Sequence, residues 1–373
     1  MITADPCLFI GSDIYRGSSY GAAHPLRVPR VSTVMDLSRA LGWLPASQYR
    51  ASPRAKPAAL TLWHDAEYIA ALQRAETMAD ATPEMRARFH LGTLANPLFP
   101  EVFRRPATGA GGVMLAAELL AQTPGVIHVP GGGTHHGLPG RANGFCYLND
   151  VVLGIKMMQR AGLRRIVYVD IDAHHCDGVE LAFTGDPGVR MISVHEEGRW
   201  PFTGALADRA GGSAFNLPVP RGFNDTEMRA VLEALILPRV AEFRPDAVVL
   251  QCGADSLLED PLSRLALSNR AYLGVVAALR PLSQRFLVLG GGGYNPWSVG
   301  RCWTLIWGAL SGQEVPERLP VAAEAVLRGL SWGGGGRPLP EEAMLTTLLD
   351  EPREGPVRAE VRDRLALLAG ALS

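Results

Sequence analysis

The stretch Asp170-Ile171-Asp172-Ala173-His174-His175-Cys176-Asp177 places three carboxylates and two imidazoles at the end of a short β-branched run. That composition is a metal site: zinc takes oxygen from Asp and nitrogen from His, and a catalytic zinc keeps one position open for water and substrate. Alternation along an extended strand end aims Asp172 and His174 to the same side, as two ligands of one ion require. Buried together without a cation, such groups would cost on the order of several kcal/mol each.

The rest of the chain supplies matching parts. Asp255 follows an apolar, β-branched run, with Gly253 permitting close approach, and is the natural third ligand. His135 and His136 follow a triple-glycine turn and suit proton transfer, because a general base must titrate near neutral pH within reach of the attacking water. Asp170 and Asp177 are candidates to hold one imidazole each, fixing its tautomer and orientation. Tyr294 stands on a run of four glycines, where its hydroxyl is placed to donate to a developing oxyanion. Phe145 and Trp200, each beside turn residues, are candidate walls of a narrow apolar channel. His24, His64, His90, His128, His175 and His195 read as scaffold.

These residues need elements to bring them together. Apolar, β-rich runs recur at 126–129, 166–169, 191–194, 247–250 and 286–289, each followed by Gly or polar residues and then a helix-like segment. This is the alternation of a mostly parallel sheet with crossover helices. Asn149 or Asp150 can cap a helix over 151–161 that ends at Gly162, and Asn295 before Pro296 reads as a second cap. Four runs lead directly into the chemistry-bearing motifs that begin at Pro130, Asp170, Gln251 and Gly290, and the fifth ends at His195. In an open parallel sheet, ligands bind beyond the carboxyl ends of the strands, so motifs distant in sequence converge there.

The 373 residues are read as one α/β domain, with a core over about 12–310 and a peripheral tail of loop and helices over 311–373. Surface loops are expected at 51–57 and at the glycine-rich 332–338. A formal charge of −1 argues against a general nucleic-acid or anionic-membrane binder. The five cysteines are scattered and form no Cys-x-x-Cys pair, so a disulfide framework is not expected. The first 13 residues do not read as a secretory signal, and no apolar run reaches the roughly 18 residues needed to span a bilayer. A cytoplasmic location is the resulting expectation; the oligomeric state is left open.

Together, the segments 131–150, 168–178, 251–255 and 290–294 resemble the zinc-dependent histone deacetylase superfamily, most nearly its bacterial acetoin-utilisation branch. The similarity runs from about Ser12, through His24-Pro25-Leu26-Arg27-Val28-Pro29-Arg30, to about Trp307. The resemblance implies an arginase/deacetylase-like fold: a central, mostly parallel sheet flanked by helices. It also implies zinc on Asp172, His174 and Asp255, His136 with Asp177 as main base and acid, and His135 with Asp170 in electrostatic support. Tyr294 would polarise the acyl carbonyl. Gly144, Phe145 and Trp200 are similar to positions lining an acyl-lysine channel, and Arg30 to one beside an inner cavity. Asp170 and Ser193 match positions around a structural potassium ion. The implied reaction is hydrolysis of an N-acyl amide, most simply acetyl, on a lysine side chain or a small acylated amine.

Two positions depart from the family pattern. Ala95, in Gly92-Thr93-Leu94-Ala95-Asn96-Pro97, stands where a rim acid that clamps substrate backbone is expected, and Cys176 replaces a glycine beside the metal motif. Two alternatives stay open at this stage: an arginase-like manganese amidinohydrolase, and a weakly catalytic protein that binds an acylated ligand. Ferrous iron suits the same His and carboxylate donors as zinc.

Overall fold

All five apolar runs form strands, and three further strands join them. The computed structural model describes residues 7–332 and 339–370. Its strands are β1 (Cys7–Gly11), β2 (Tyr49–Ala51), β3 (Gly125–Val129), β4 (Ile166–Asp170), β5 (Val189–Glu196), β6 (Ala214–Val219), β7 (Ala247–Gln251) and β8 (Arg285–Leu289). They make one eight-stranded sheet in the order β2-β1-β3-β8-β7-β4-β5-β6, with every pairing parallel.

Side-chain alternation divides the interior into two cores. On one face Val167 and Val169 of β4 join Val248 and Leu250 of β7 and Phe286 and Val288 of β8. On the other, Ile166 and Tyr168 join Ala247, Val249, Leu287 and Leu289. A sheet covered on both faces explains why these strands read as continuous apolar runs. Helices Arg104–Gln122 and Asp150–Arg160 bury Val113, Leu120, Val152 and Ile155 on the second face. Helices Asn269–Leu279 and Pro296–Ser311 bury Tyr272, Val275, Trp303 and Ile306 on the first. Both expected caps form: the Asn149 side chain accepts from Val152 N, and that of Asn295 from Trp297 N and Ser298 N.

The tail beyond residue 310 corrects one expectation. Leu319, Leu327, Leu348, Val361, Leu365 and Leu368 are buried in the first core rather than lying at the periphery. Arg301 fastens the segment from inside, pairing with Asp350 at 2.6 Å and donating to Thr347 O at 2.8 Å. Apolar residues at helical spacing in Ala359–Gly370 are what draw that helix onto the sheet layer. Residues 333–338 of the expected glycine-rich loop, and 1–6 of the N-terminal stretch, lie outside the described residues. Among the described residues, no helix is long and apolar enough to cross a membrane.

Candidate active site

At the carboxyl ends of β4, β7 and β8, Asp172, His174 and Asp255 are buried, with ligand atoms all within 4.8 Å of one another. His174 Nδ1 lies 3.2 Å from Asp172 Oδ1 and 3.0 Å from Asp255 Oδ2. Backbone N–H groups hold both carboxylates: Gly292 N donates to Asp172 Oδ2 at 2.7 Å, and Ala173 N to Asp255 Oδ1 at 3.0 Å. The approach is close enough to require glycine, since a Cβ on Gly253 would sit 1.8 Å from Asp172 Oδ2 and one on Gly292 2.0 Å from Asp255 Oδ2. Burial opposes a charge on His174, yet Asp172 and Asp255 outweigh it and push its pKa up to about 10. Two carboxylates and an imidazole buried in this way form a nest for a cation, and the O,O,N donor set fits zinc or ferrous iron.

The two adjacent histidines meet different fates. His135 Nδ1 donates to Asp170 Oδ2 at 2.7 Å, and His136 Nδ1 to Asp177 Oδ1 at 2.7 Å. For His135, burial disfavours the charged ring but Asp170 and Asp172 overcome it, raising its pKa to about 9. For His136, burial and then the neighbouring His135 charge prevail over Asp177 and lower its pKa to about 4. The two rings, 3.9 Å apart between centres, are thus shifted in opposite directions. With Nδ1 committed to Asp177, His136 presents Nε2 to the cavity as an acceptor.

A cavity of about 670 Å³ opens above this floor, walled by Gly144, Phe145, Trp200 and Leu262 and touching His136, His174 and Tyr294. The Trp200 ring crosses His136 at 4.6 Å, and the Phe145 ring crosses Tyr294 at 6.0 Å, both edge-on. A smaller cavity of about 40 Å³ continues inward past Tyr20, Leu26 and Arg30. Arg30 there donates to Gly291 O at 2.6 Å and lies over the Trp303 ring. Tyr294 is 7% exposed, its hydroxyl has no hydrogen-bond partner among the described residues, and burial holds its pKa well above 10. It is a standing donor facing the cavity.

Of the residues named from the sequence for metal binding, acid–base work and the channel, Arg30, His135, His136, Gly144, Phe145, Asp172, His174, Trp200 and Tyr294 line the two cavities, and Asp170, Asp177 and Asp255 stand in contact with them. Ser193 faces Asp170 across the β4–β5 register, with its hydroxyl 2.9 Å from His195 Nδ1. Ala95 lies exposed on the rim, and Cys176 is buried against the second core. Of the scaffold histidines, His64 holds Asn149 N, and His195 reaches Gly204 O at 2.9 Å. His90 instead lines the mouth of the cavity.

Several supporting residues escaped the sequence reading. Asn143 donates to Asp177 Oδ2 at 2.9 Å, Tyr168 OH to Asp170 Oδ2 at 2.5 Å, and Tyr294 N to Asp260 Oδ2 at 2.6 Å. Tyr168 lies two residues before Asp170, on the same face of the strand, so alternation alone carried a signal for it. Asn143 and Asp260 sit in turns, where such residues commonly satisfy local backbone, and nothing in their spacing marked them.

The all-parallel sheet with a metal-donor triad at its strand ends fits the arginase and deacetylase class of fold, to which the structural matches below belong. A model of the histone deacetylase domain matches residues 24–310, and the chain belongs to the histone deacetylase family. It is 33% identical over 310 residues to putative histone deacetylase 2 of Caenorhabditis elegans, covering 81% of this chain and 61% of that protein. It is 34% identical over 322 residues to histone deacetylase HDAC1 of Drosophila melanogaster, covering 84% and 61%. The chain thus spans about three-fifths of the length of these curated relatives. Crystal structures of an HDAC homologue from Aquifex aeolicus and of an HDAC homologue complexed with SAHA each superpose with a TM-score of 0.92. Each is 36% identical, with 97% of this chain and 99% of the other covered.

Proposed function

We propose that this chain is a metal-dependent amidohydrolase that removes acetyl, or another short acyl group, from the nitrogen of a lysine side chain or a small acylated amine. One observation carries the reading: His136, His174 and the Tyr294 side chain line one cavity, with Asp172 and Asp255 clustered around His174 and Asp177 bonded to His136. Family membership supports it, and the acetoin-utilisation branch suggested by the motifs belongs to the same proposal. Asp172, His174 and Asp255 would hold the metal, which we take to be zinc. When bound there it supplies Lewis acidity, making water acidic and polarising the acyl oxygen.

The chain's own residues account for the remaining steps. Neutral His136 takes the proton of the attacking water at Nε2, and Asp177 on Nδ1 stabilises the imidazolium so formed. The Tyr294 hydroxyl donates to the oxygen on which negative charge develops. His135, held charged by Asp170, adds a fixed positive potential next to that oxygen, and protonated His136 returns its proton to the departing amine. Phe145 and Trp200 enclose the methylene chain and exclude water, while the inner cavity at Arg30 receives the acyl group's end. A structural potassium ion near Asp170 and Ser193 is part of the same proposal, supported by their facing positions. The arginase-like alternative requires a second set of ligands, and among the described residues Asp172, His174 and Asp255 form the single such cluster. Release of acetate from an Nε-acetyl-lysine peptide by the zinc-loaded chain, and its loss in His136→Ala with metal retained, tests the reading. Full activity of His136→Ala would reject it.

A further inference from the structure

The mouth of the cavity differs in charge from its floor. The residues that line it include Arg86, His90 and Arg199 with Thr93 and Ala95, and no Asp or Glu. The carboxylates that pair with the two arginines, Asp80 and Glu196, are not among the lining residues. Arg86 donates to Asp80 Oδ1 at 3.0 Å and Gly92 O at 2.5 Å. Arg199 grips Glu196 with two bonds of 2.8 and 2.9 Å. Each guanidinium carries five N–H donors, so each keeps N–H groups that these bonds do not use. The Arg86–Asp80 pair is 45% and 69% exposed, and such pairs are weak enough for an arriving anion to share. Arg141, exposed beside His90, adds a positive charge that no carboxylate pairs among the described residues. The rim is also positioned: Asn96 Oδ1 accepts from Phe145 N at 3.1 Å, tying the loop that carries Ala95 to the channel wall.

Resting on the amide-hydrolase reading, we infer that the preferred substrate is an acylated amine whose far end, left at the mouth when the acyl group is on the floor, carries a carboxylate. The channel between is apolar, with Phe145, Trp200 and Leu262 accommodating a methylene spacer. An amine-terminated acylpolyamine would bring a like charge to the Arg86 and Arg199 side of the mouth, whereas a carboxylate finds there the guanidinium N–H groups that the Asp80, Gly92 and Glu196 bonds leave over. The carboxylate can belong to a free Nε-acyl amino acid or to an acidic residue flanking acyl-lysine in a peptide.

The experiment compares kcat/KM for Nα-benzoyl-Nε-acetyl-lysine, its carboxamide and N-acetylcadaverine, beside two peptides in which acetyl-lysine is flanked by Asp or by Lys. The expected order is carboxylate over carboxamide by about tenfold and over the amine by more, with the gap narrowing as salt is raised. A preference in the lysine pair names a small acid as the source, and one in the peptide pair names an acidic peptide. In Ala95→Asp, an exposed position, the carboxylate preference should fall to near one, and Arg86→Gln should reduce it in the same direction. Equal turnover of the carboxylate and the amine, or a preference untouched by both variants, overturns this inference alone. No turnover of any probe overturns the amide-hydrolase reading beneath it.

Discussion

Removing one oxygen atom, in Tyr294→Phe, isolates the proposed oxyanion donor. The Tyr294 backbone N–H is held by Asp260 at 2.6 Å and its ring packs against Phe145, and neither contact uses the hydroxyl. Since that hydroxyl has no partner among the described residues, its loss should change folding stability by no more than about 0.5 kcal/mol. In the reaction it is a preorganised donor in a water-poor site, and removing one such donor lowers kcat by about 10²–10³, or roughly 2.7–4 kcal/mol. The bond strengthens only as charge develops, so kcat and kcat/KM should fall together with KM little changed. Steady-state kinetics on an acetyl-lysine peptide, paired with elemental analysis of bound metal and urea unfolding, reads all three quantities. A kcat within about threefold of the parent, with metal retained, would refute the assignment.

Other residues give sharp expectations. Asp177→Asn removes the charge from a 2.7 Å bond to His136 Nδ1 while preserving shape, and should lower kcat by about 10–100-fold at unchanged metal content; a smaller change than about threefold would separate Asp177 from the base. Gly253→Ala forces a Cβ to within 1.8 Å of Asp172 Oδ2, so metal affinity, measured by competition with a chromophoric chelator, should drop by about 10–100-fold or more. Mild acid should weaken the fold through its buried neutral histidines. Burial lowers both His64 and His128 to about 4, against 6.5 in the unfolded chain, so the unfolded state binds their protons first. Their contribution is complete above about pH 6.5 and is lost as pH falls toward 4, amounting to about 2 kcal/mol for each between pH 7 and pH 5. Urea midpoints that coincide at those two pH values would contradict this.

The sequence made the central strands legible because β4, β7 and β8 are buried on both faces and leave unbroken apolar runs. Two of the strands it missed, β6 and β2, lack that signature for physical reasons. β6 is an edge strand, where Pro218 and Asn216 are tolerated since one side of its backbone has no strand to pair with, and β2 at the opposite edge has three residues. The tail past residue 310 looked peripheral because its apolar residues are spread among Pro, Glu and Arg, and its burial depends on Arg301 and on partners far away in sequence. Within the site, the carboxylates and imidazoles proposed as ligands and acid–base residues stood out in the sequence because ionisable groups at strand ends have few bland explanations. Asn143 and Asp260 were not, since a turn Asn or Asp is ordinary until the structure shows which N–H or carboxylate it meets. The opposite shifts of His135 and His136 also needed coordinates, because they follow from depth of burial and from which carboxylate sits where.

On the proposed function, Asp172, His174 and Asp255 hold a catalytic metal beneath the cavity. The most direct test is elemental analysis of the purified chain, alongside acetate release from an acetyl-lysine substrate before chelation, after it, and after restoring zinc. One zinc per chain is expected, with activity lost on chelation and recovered in proportion to the metal returned. Undiminished hydrolysis by the metal-free chain, or two manganese ions per chain with urea released from a guanidino substrate, would contradict it.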